Sequence, residues 1–111
     1  MDKISINELN DFYLETLEHC GSFLLQEDDE CISYHLFEEF DIGVNSFFEK
    51  ESVERLFQAG LISELKMGKS MILRDFIFEI QESNEWDIHY VKTSSRWKDI
   101  LERADELRNI F

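Results

Sequence analysis

Proline is absent from this chain of 111 residues, where average usage would place about five. We therefore expect its four glycines, at positions 21, 43, 60 and 68, to mark most of the segment ends. No repeat, linker or low-complexity segment occurs. The length fits one folding unit, so we predict a single domain over residues 1–111.

Long hydrophobic runs are missing too, and none approaches the roughly 18 residues of a membrane span. The stretch MDKISINELND has no apolar core after its single lysine, so we predict no signal peptide. These absences favour a cytoplasmic protein without membrane association. Cys20 and Cys31 are then expected to be reduced, partly buried thiols rather than a disulfide.

Motifs for catalysis and cofactor binding are also lacking. Neither a glycine-rich phosphate loop nor a G-x-S-x-G elbow occurs. Zinc would have His19, Cys20, Cys31 and His35 as its only clustered ligands, and no C-x-x-C or H-x-x-x-H spacing fixes two on one turn. We therefore predict no enzyme activity, no metal and no cofactor.

Basic residues are absent between Lys3 and Lys50, which is the most informative feature of the sequence. Residues 1–49 hold 13 carboxylates and one lysine, a net charge of −12. Residues 50–111 hold 12 carboxylates and ten basic residues, a net charge of −2, which completes the total of −14. Such a field repels nucleic acid and anionic membranes and attracts basic proteins. A surface kept acidic for solubility alone is the alternative.

The densest acidic stretch is FLLQEDDECISYHLFEEFDIG, residues 23–43, where carboxylates are interspersed with aromatic rings. In sites for basic proteins, carboxylates steer the encounter and a few aromatic anchors supply most of the affinity. Phe37 and Phe40 are the nearest candidate anchors, although either could belong to the core. The predicted partner-binding residues are Glu27, Asp28, Asp29, Glu30, Phe37, Glu38, Glu39, Phe40 and Asp41.

Hydrophobic periodicity predicts an all-α or α-rich bundle of about five helices. The first should begin at a capping box of Ser5 and Glu8 and end near Cys20, with Gly21 as its stop. Its inward stripe comprises Ile6, Leu9, Tyr13 and Leu17. A second helix is predicted over 30–40, with Ile32, Leu36 or Phe37, and Phe40 facing inward; a short strand or extended segment near 22–34 stays open.

Later segments are separated by turn signals. Asp41-Ile42-Gly43 is predicted as a turn, and the helix ESVERLFQAG should end at Gly60. Gly68 is expected in a turn leading to Ser70, which would cap SMILRDFIFEIQES. That helix is apolar nearly all round, which is typical of the buried centre of a bundle.

The last part of the chain combines an extended segment with a closing helix. Trp86, Ile88 and Tyr90 alternate with polar residues, which favours a short extended connection over 86–91. Ser94-Ser95 should cap the final helix. Its predicted inward face consists of Trp97, Ile100, Leu101, Ala104 and Leu107.

Three parts of the C-terminal half carry a family resemblance. The segment SMILRDFIFEI, the following Trp86 and the closing SSRWKDILERADEL resemble small immunity proteins of bacterial contact-dependent growth inhibition systems. In those proteins, a short helix containing Leu-Arg precedes a tryptophan and a closing S-x-W helix. The match covers about residues 44–107, with FDIGVNSFF and LFQAGLI as looser parallels.

The resemblance implies a cytoplasmic antidote that binds the toxin domain of its own strain or close kin. Such toxins are typically nucleases, which carry a basic cleft because their substrate is a polyanion. We therefore predict an immunity protein that neutralises a basic toxin domain by tight stoichiometric binding. The alternatives are an acidic nucleic-acid mimic that inhibits a DNA- or RNA-binding protein, and a non-catalytic adaptor subunit.

Overall fold

The computed structural model describes residues 4–110, and every regular element in this range is helical. The prediction of an all-α bundle is confirmed, and the strand considered near 22–34 does not form. No helix in this range is long and apolar enough to cross a membrane. The elements are α1 (Ile6–Glu18), a 3₁₀-helix (Ser22–Gln26), α2 (Asp29–Ile32), a π-helix (Ser33–Phe40), α3 (Asp41–Ser46), α4 (Lys50–Gln58), α5 (Glu64–Gln81), α6 (Ile88–Val91) and α7 (Ser95–Arg108).

The segments α2, π-helix and α3 form one continuous helical rod, residues 29–46. Backbone angles stay in the right-handed helical region at both junctions, so the turn predicted at Asp41-Ile42-Gly43 is wrong. Gly43 is buried where the rod crosses α1, and a Cβ at this position would overlap the side chain of Thr16. The glycine therefore permits a close helix crossing instead of ending a helix.

α1 follows its prediction closely. Ser5 Oγ accepts from the Glu8 backbone N–H at 3.1 Å, and Glu8 accepts from the Ser5 N–H, which completes the capping box. Leu9, Tyr13 and Leu17 are buried, while Ile6 is half-buried. The helix ends at Glu18, and Gly21 has extended backbone, with φ 168°, in place of the left-handed stop expected there.

α4 and α7 also agree with the sequence. Gly60 follows α4 with φ 78°, the left-handed conformation that favours glycine at a helix stop. Ser94 caps α7 by accepting from the backbone N–H groups of Arg96 and Trp97. All five predicted inward residues of α7 are buried: Trp97, Ile100, Leu101, Ala104 and Leu107.

α5 begins earlier than predicted. Ser63 is its cap, accepting from the Lys66 N–H at 3.1 Å, and Gly68 lies inside the helix. Ser70 is buried in the interior, where it donates to the Lys66 carbonyl at 2.8 Å. Because Ser70 uses its hydroxyl proton in that bond, the hydroxyl of Tyr13 donates to Ser70 Oγ, at 2.5 Å. This contact joins α1 to α5 inside the core.

Burial of α5 is also incomplete. Leu73, Ile77 and Ile80 are buried, but Ile72 and Phe78 are exposed. The prediction of a helix buried on nearly all sides is therefore wrong, and α5 instead packs against α4 and α7 through one face.

Residues 86–91 contain the short helix α6 and not the extended segment predicted there. Asp87 caps it by accepting from the His89 N–H at 2.9 Å. Trp86 stacks on Trp97 with ring centroids 5.5 Å apart, and the indole N–H of Trp97 donates to the Glu85 carbonyl at 2.7 Å. These contacts fix the chain between α5 and α7.

Candidate functional site

The start of the rod presents the acidic run QEDDE. Asp28 caps the rod by accepting from the Cys31 N–H at 2.8 Å. Asp29 and Glu30 are exposed in its first turn, where the positive end of the helix dipole favours negative charge. The carboxylates therefore initiate the helix and remain accessible to a partner.

Three of the predicted carboxylates converge on one shallow concavity. Asp28, Glu30 and Glu38 line a space of about 560 Å³ together with Cys31, Ser33 and Tyr34. The ring of Tyr34 is half exposed beside them. We call this surface the acidic concavity, and its lining contains no basic side chain.

Neither phenylalanine predicted as an anchor is a free surface ring. Phe40 is fully buried, edge-on to Phe48 with centroids 6.4 Å apart, so it belongs to the core. Phe37 is half-buried and packs edge-on against Trp86 at 4.9 Å and Trp97 at 5.9 Å. The anchor prediction is therefore wrong for Phe40, and Phe37 is mainly occupied by internal contacts.

The remaining predicted carboxylates have different surroundings. Asp41 is half-buried and accepts from Gln81 Nε2 at 2.6 Å and Asn45 Nδ2 at 3.0 Å, which ties the rod to α5. Glu27 and Glu39 are half-buried and lie close enough to His35 to influence its pKa. The nine predicted residues thus do not form one uniform surface.

Two histidines from separate elements meet beside the acidic concavity. The Nδ1 atoms of His19 and His35 are 2.9 Å apart, so one ring donates to the other. Tyr34 contacts both rings edge-on, at 5.9 and 5.3 Å between centroids. Burial and the neighbouring His19 lower the pKa of His35, while Glu27 and Glu39 act in the opposite direction.

The four candidate zinc ligands do not assemble into a site. Cys20 is buried and Cys31 is exposed, so the expectation that Cys31 is partly buried is wrong; both thiols are free. Within residues 4–110, no group of three or more His, Cys, Asp or Glu side chains is arranged to hold a metal ion. The structure brings His19 and His35 together without a third ligand.

A second concavity, which sequence reasoning missed, lies between α1 and α3. We call it the α1–α3 groove; its volume is about 240 Å³, and its lining is Phe12, Glu15, Thr16, His19, Glu39, Ile42, Gly43 and Phe47. Phe12 and Phe47 stack with centroids 4.9 Å apart, and Ile42 is 64% exposed. The available signal was Phe12, an aromatic residue that lies off the inward stripe of α1.

The observed ion pairs lie in the half of the chain that also carries most of the basic residues. Among residues 4–110, no carboxylate from residues 4–49 forms an ion pair, and the observed pairs use carboxylates that follow Lys50. Two cations of the second half instead donate to backbone carbonyls of the first half: Lys92 to that of Glu27 at 2.7 Å, and Arg55 to that of Ile4 at 2.9 Å. The carboxylates of residues 4–49 thus have no ion-pair partner among residues 4–110.

No protein-family model, curated protein or solved structure was found to match the chain. Its function is therefore inferred from the surface and from the sequence features described above.

Proposed function

We propose that this protein is a cytoplasmic immunity protein that binds and neutralises a basic bacterial toxin domain, with a nuclease as the expected toxin. The observation that carries the proposal is the unpaired charge of residues 4–49, whose carboxylates form no ion pair among residues 4–110. Since these carboxylates have no ion-pair partner among residues 4–110, their field extends into solvent and favours a basic partner.

Binding through this surface has an early and a late stage. The acidic field first accelerates the encounter with a basic protein, an effect that salt weakens. Short-range pairing with Lys and Arg then slows dissociation. Asp29, Glu30 and Glu38 project from a helical rod, so little backbone ordering has to accompany their contacts.

Inhibition requires no catalytic group on the antidote. A nuclease holds its substrate through basic side chains that contact phosphates. Carboxylates on the rod can pair with those same side chains, or can hold the toxin beside its cleft. In either position one molecule of this protein inhibits one toxin molecule by remaining bound to it. This mode of action agrees with the lack of catalytic motifs in the sequence.

The family resemblance supports the proposal from a different part of the chain. Its residues lie in α5, at Trp86 and in α7, where Trp86 and Trp97 stack on one another. The acidic concavity is formed by residues 28–38 instead. Charge and resemblance are therefore separate grounds for the same function.

Growth rescue tests the proposal. The domain encoded immediately upstream, which the proposal expects to be the toxin, is induced in cells with and without this protein, and growth is followed. We expect the protein to restore growth and to co-purify with the toxin as a one-to-one complex. Unchanged killing would contradict the proposal. Salt-sensitive binding to several unrelated DNA-binding proteins would favour the nucleic-acid mimic instead.

A further inference from the structure

The floor of the α1–α3 groove is apolar and is formed by a close helix crossing. Gly43 allows the rod to approach α1 at Thr16. The hydroxyl of Thr16 donates to the Phe12 carbonyl at 2.8 Å, so this polar group is already satisfied. The stacked rings of Phe12 and Phe47 add apolar lining.

Ile42 is the clearest unpartnered anchor in the groove. At 64% exposure it is the most exposed large apolar side chain in residues 4–110. It lies in α3, within the continuous helical rod, and not in a loop. When a partner covers an exposed apolar side chain of this kind, its burial stabilises the complex.

Carboxylates line the same groove. Glu15 comes from α1 and Glu39 from the rod, and neither forms an ion pair with another residue of 4–110. Guanidinium groups pair with carboxylates and also pack on aromatic faces, such as those of Phe12 and Phe47. Arginine therefore complements the two carboxylates of this groove and the rings beside them.

We propose that the α1–α3 groove receives an apolar side chain flanked by arginines, displayed by the basic partner protein. The inference rests on the proposed function and identifies the anchor that Phe40 does not provide. The volume of about 240 Å³ lies below the roughly 300–1,000 Å³ of small-molecule pockets, so a side chain suits it better than a metabolite.

Replacing Ile42 with aspartate separates this anchor from general charge attraction. If attraction were purely electrostatic, the added carboxylate would strengthen binding to a basic partner. If Ile42 contacts an apolar side chain, the same replacement weakens binding. Ile72→Asp is the matched control, because it adds the same charge at an isoleucine of α5 that is 46% exposed. Circular dichroism and thermal melting verify that both variants fold.

The probe is a short amphipathic peptide with leucines flanked by arginines, titrated into the full chain by calorimetry. A second peptide carries serine at each leucine position. We expect Ile42→Asp to bind the leucine peptide about tenfold more weakly than wild type, as for an interface residue that contributes directly to affinity. Ile72→Asp should bind it at least as tightly as wild type, and the serine peptide should bind wild type more weakly than the leucine peptide does.

Two results of the peptide titration would overturn the inference. One is wild-type or tighter binding of the leucine peptide by Ile42→Asp, and the other is no binding of that peptide by the wild-type protein. Amide chemical shifts of the labelled protein provide a second readout. Shifts centred on Phe12, Ile42 and Phe47 support the groove, whereas equal shifts over the whole acidic half contradict it.

Growth rescue distinguishes a wrong inference about the α1–α3 groove from a wrong proposed function. If wild type does not protect against the toxin, the immunity function fails and the peptide titration still decides the groove. If wild type and Ile42→Asp protect equally and bind the toxin with equal affinity, the groove inference fails and the immunity function stands. Weaker toxin binding by Ile42→Asp, but not by Ile72→Asp, supports both.

Discussion

The Nδ1 atoms of His19 and His35 lie 2.9 Å apart across the contact between α1 and the rod. Only one of the two nitrogens can donate in this contact. Protonation of both rings would therefore set two N–H groups and two positive charges against each other. His19 also lines the α1–α3 groove, and Tyr34 of the acidic concavity contacts both rings. The histidine pair thus joins the two surfaces assigned to binding.

Stability should depend on pH through His35. Burial and His19 lower its folded-state pKa below the ordinary value of 6.5, so the unfolded state binds more protons in the window just below 6.5. The free energy of unfolding should therefore decrease as the pH falls through that window. Urea denaturation at pH values above and below this window measures the change in the free energy of unfolding.

Substitution of one histidine isolates this contribution. His35→Gln should reduce the pH dependence of the unfolding free energy within the window. His89→Gln, at an exposed histidine paired with Asp87, is the control for the loss of an imidazole elsewhere. An identical pH slope in wild type and His35→Gln would show that folding does not lower the pKa of His35.

Two helical glycines should respond in opposite directions to alanine. At Gly43 the new Cβ would overlap Thr16, so Gly43→Ala should lower the free energy of unfolding by about 1–3 kcal/mol. At Gly68, inside α5, no atom beyond the adjacent residues and the helix's own nearby backbone lies within 4 Å of the Cβ position. Gly68→Ala should therefore raise it by about 0.5–1 kcal/mol through helix propensity.

Chemical denaturation of both variants measures these changes. Thr16→Ala combined with Gly43→Ala should recover part of the lost stability, because it removes Oγ1 and Cγ2 of Thr16, the two nearest atoms that the new Cβ meets, and leaves only its Cβ. Stabilisation by alanine at both glycines would contradict the close crossing of the rod over α1.

The same glycines show how far sequence reasoning extends. Both were predicted to lie in turns, because glycine commonly ends a helix, yet both lie inside helices. Gly43 is explained by Thr16 of another helix, and no local pattern contains that contact. The stripes of α1 and α7 were predicted correctly, since each amphipathic face is encoded within one segment.

The proposed binding surface was predictable only in part. Exposed carboxylates such as Asp29 and Glu38 follow from the sequence, because a run without cations has to remain solvated. Burial of Phe40 depends on which face of the rod meets the core. The groove formed by Phe12, Ile42 and Phe47 arises where separate segments meet, so periodicity within one helix could not reveal it.

Cys31 provides a chemical probe of the acidic concavity. Asp28 is the largest cause that raises the pKa of this thiol, followed by desolvation and Glu27. Asp28→Asn removes this charge, so it should lower the pKa of Cys31 and speed its alkylation by iodoacetamide. Asparagine can still cap the rod, so the helix should be retained. Cys20 is buried and should react only after unfolding.

Mass spectrometry follows the alkylation at each cysteine over time. Glu102→Gln serves as the control, because it removes an exposed carboxylate of α7. An equal rate at Cys31 in wild type and Asp28→Asn would show that the carboxylates do not control the local field.

Charge reversal tests most directly whether the acidic half binds the toxin. The first variant replaces Asp29, Glu30 and Glu38 with lysine. The matched control replaces exposed carboxylates from the second half, Glu64, Glu79 and Glu102, with lysine. Each variant moves the net charge from −14 to −8, since each of its three reversals adds two charges. A difference between them therefore reports the position of the charge and not its total.

The decisive measurement is the dissociation constant for the proposed toxin, the domain encoded immediately upstream, obtained by calorimetry at low and high salt. We predict that the first variant binds roughly 10- to 100-fold more weakly than wild type at low salt, and that salt reduces this difference. The control should lose much less affinity at the same net charge. Equal affinities of the two variants for the toxin would contradict the assignment of binding to the acidic half.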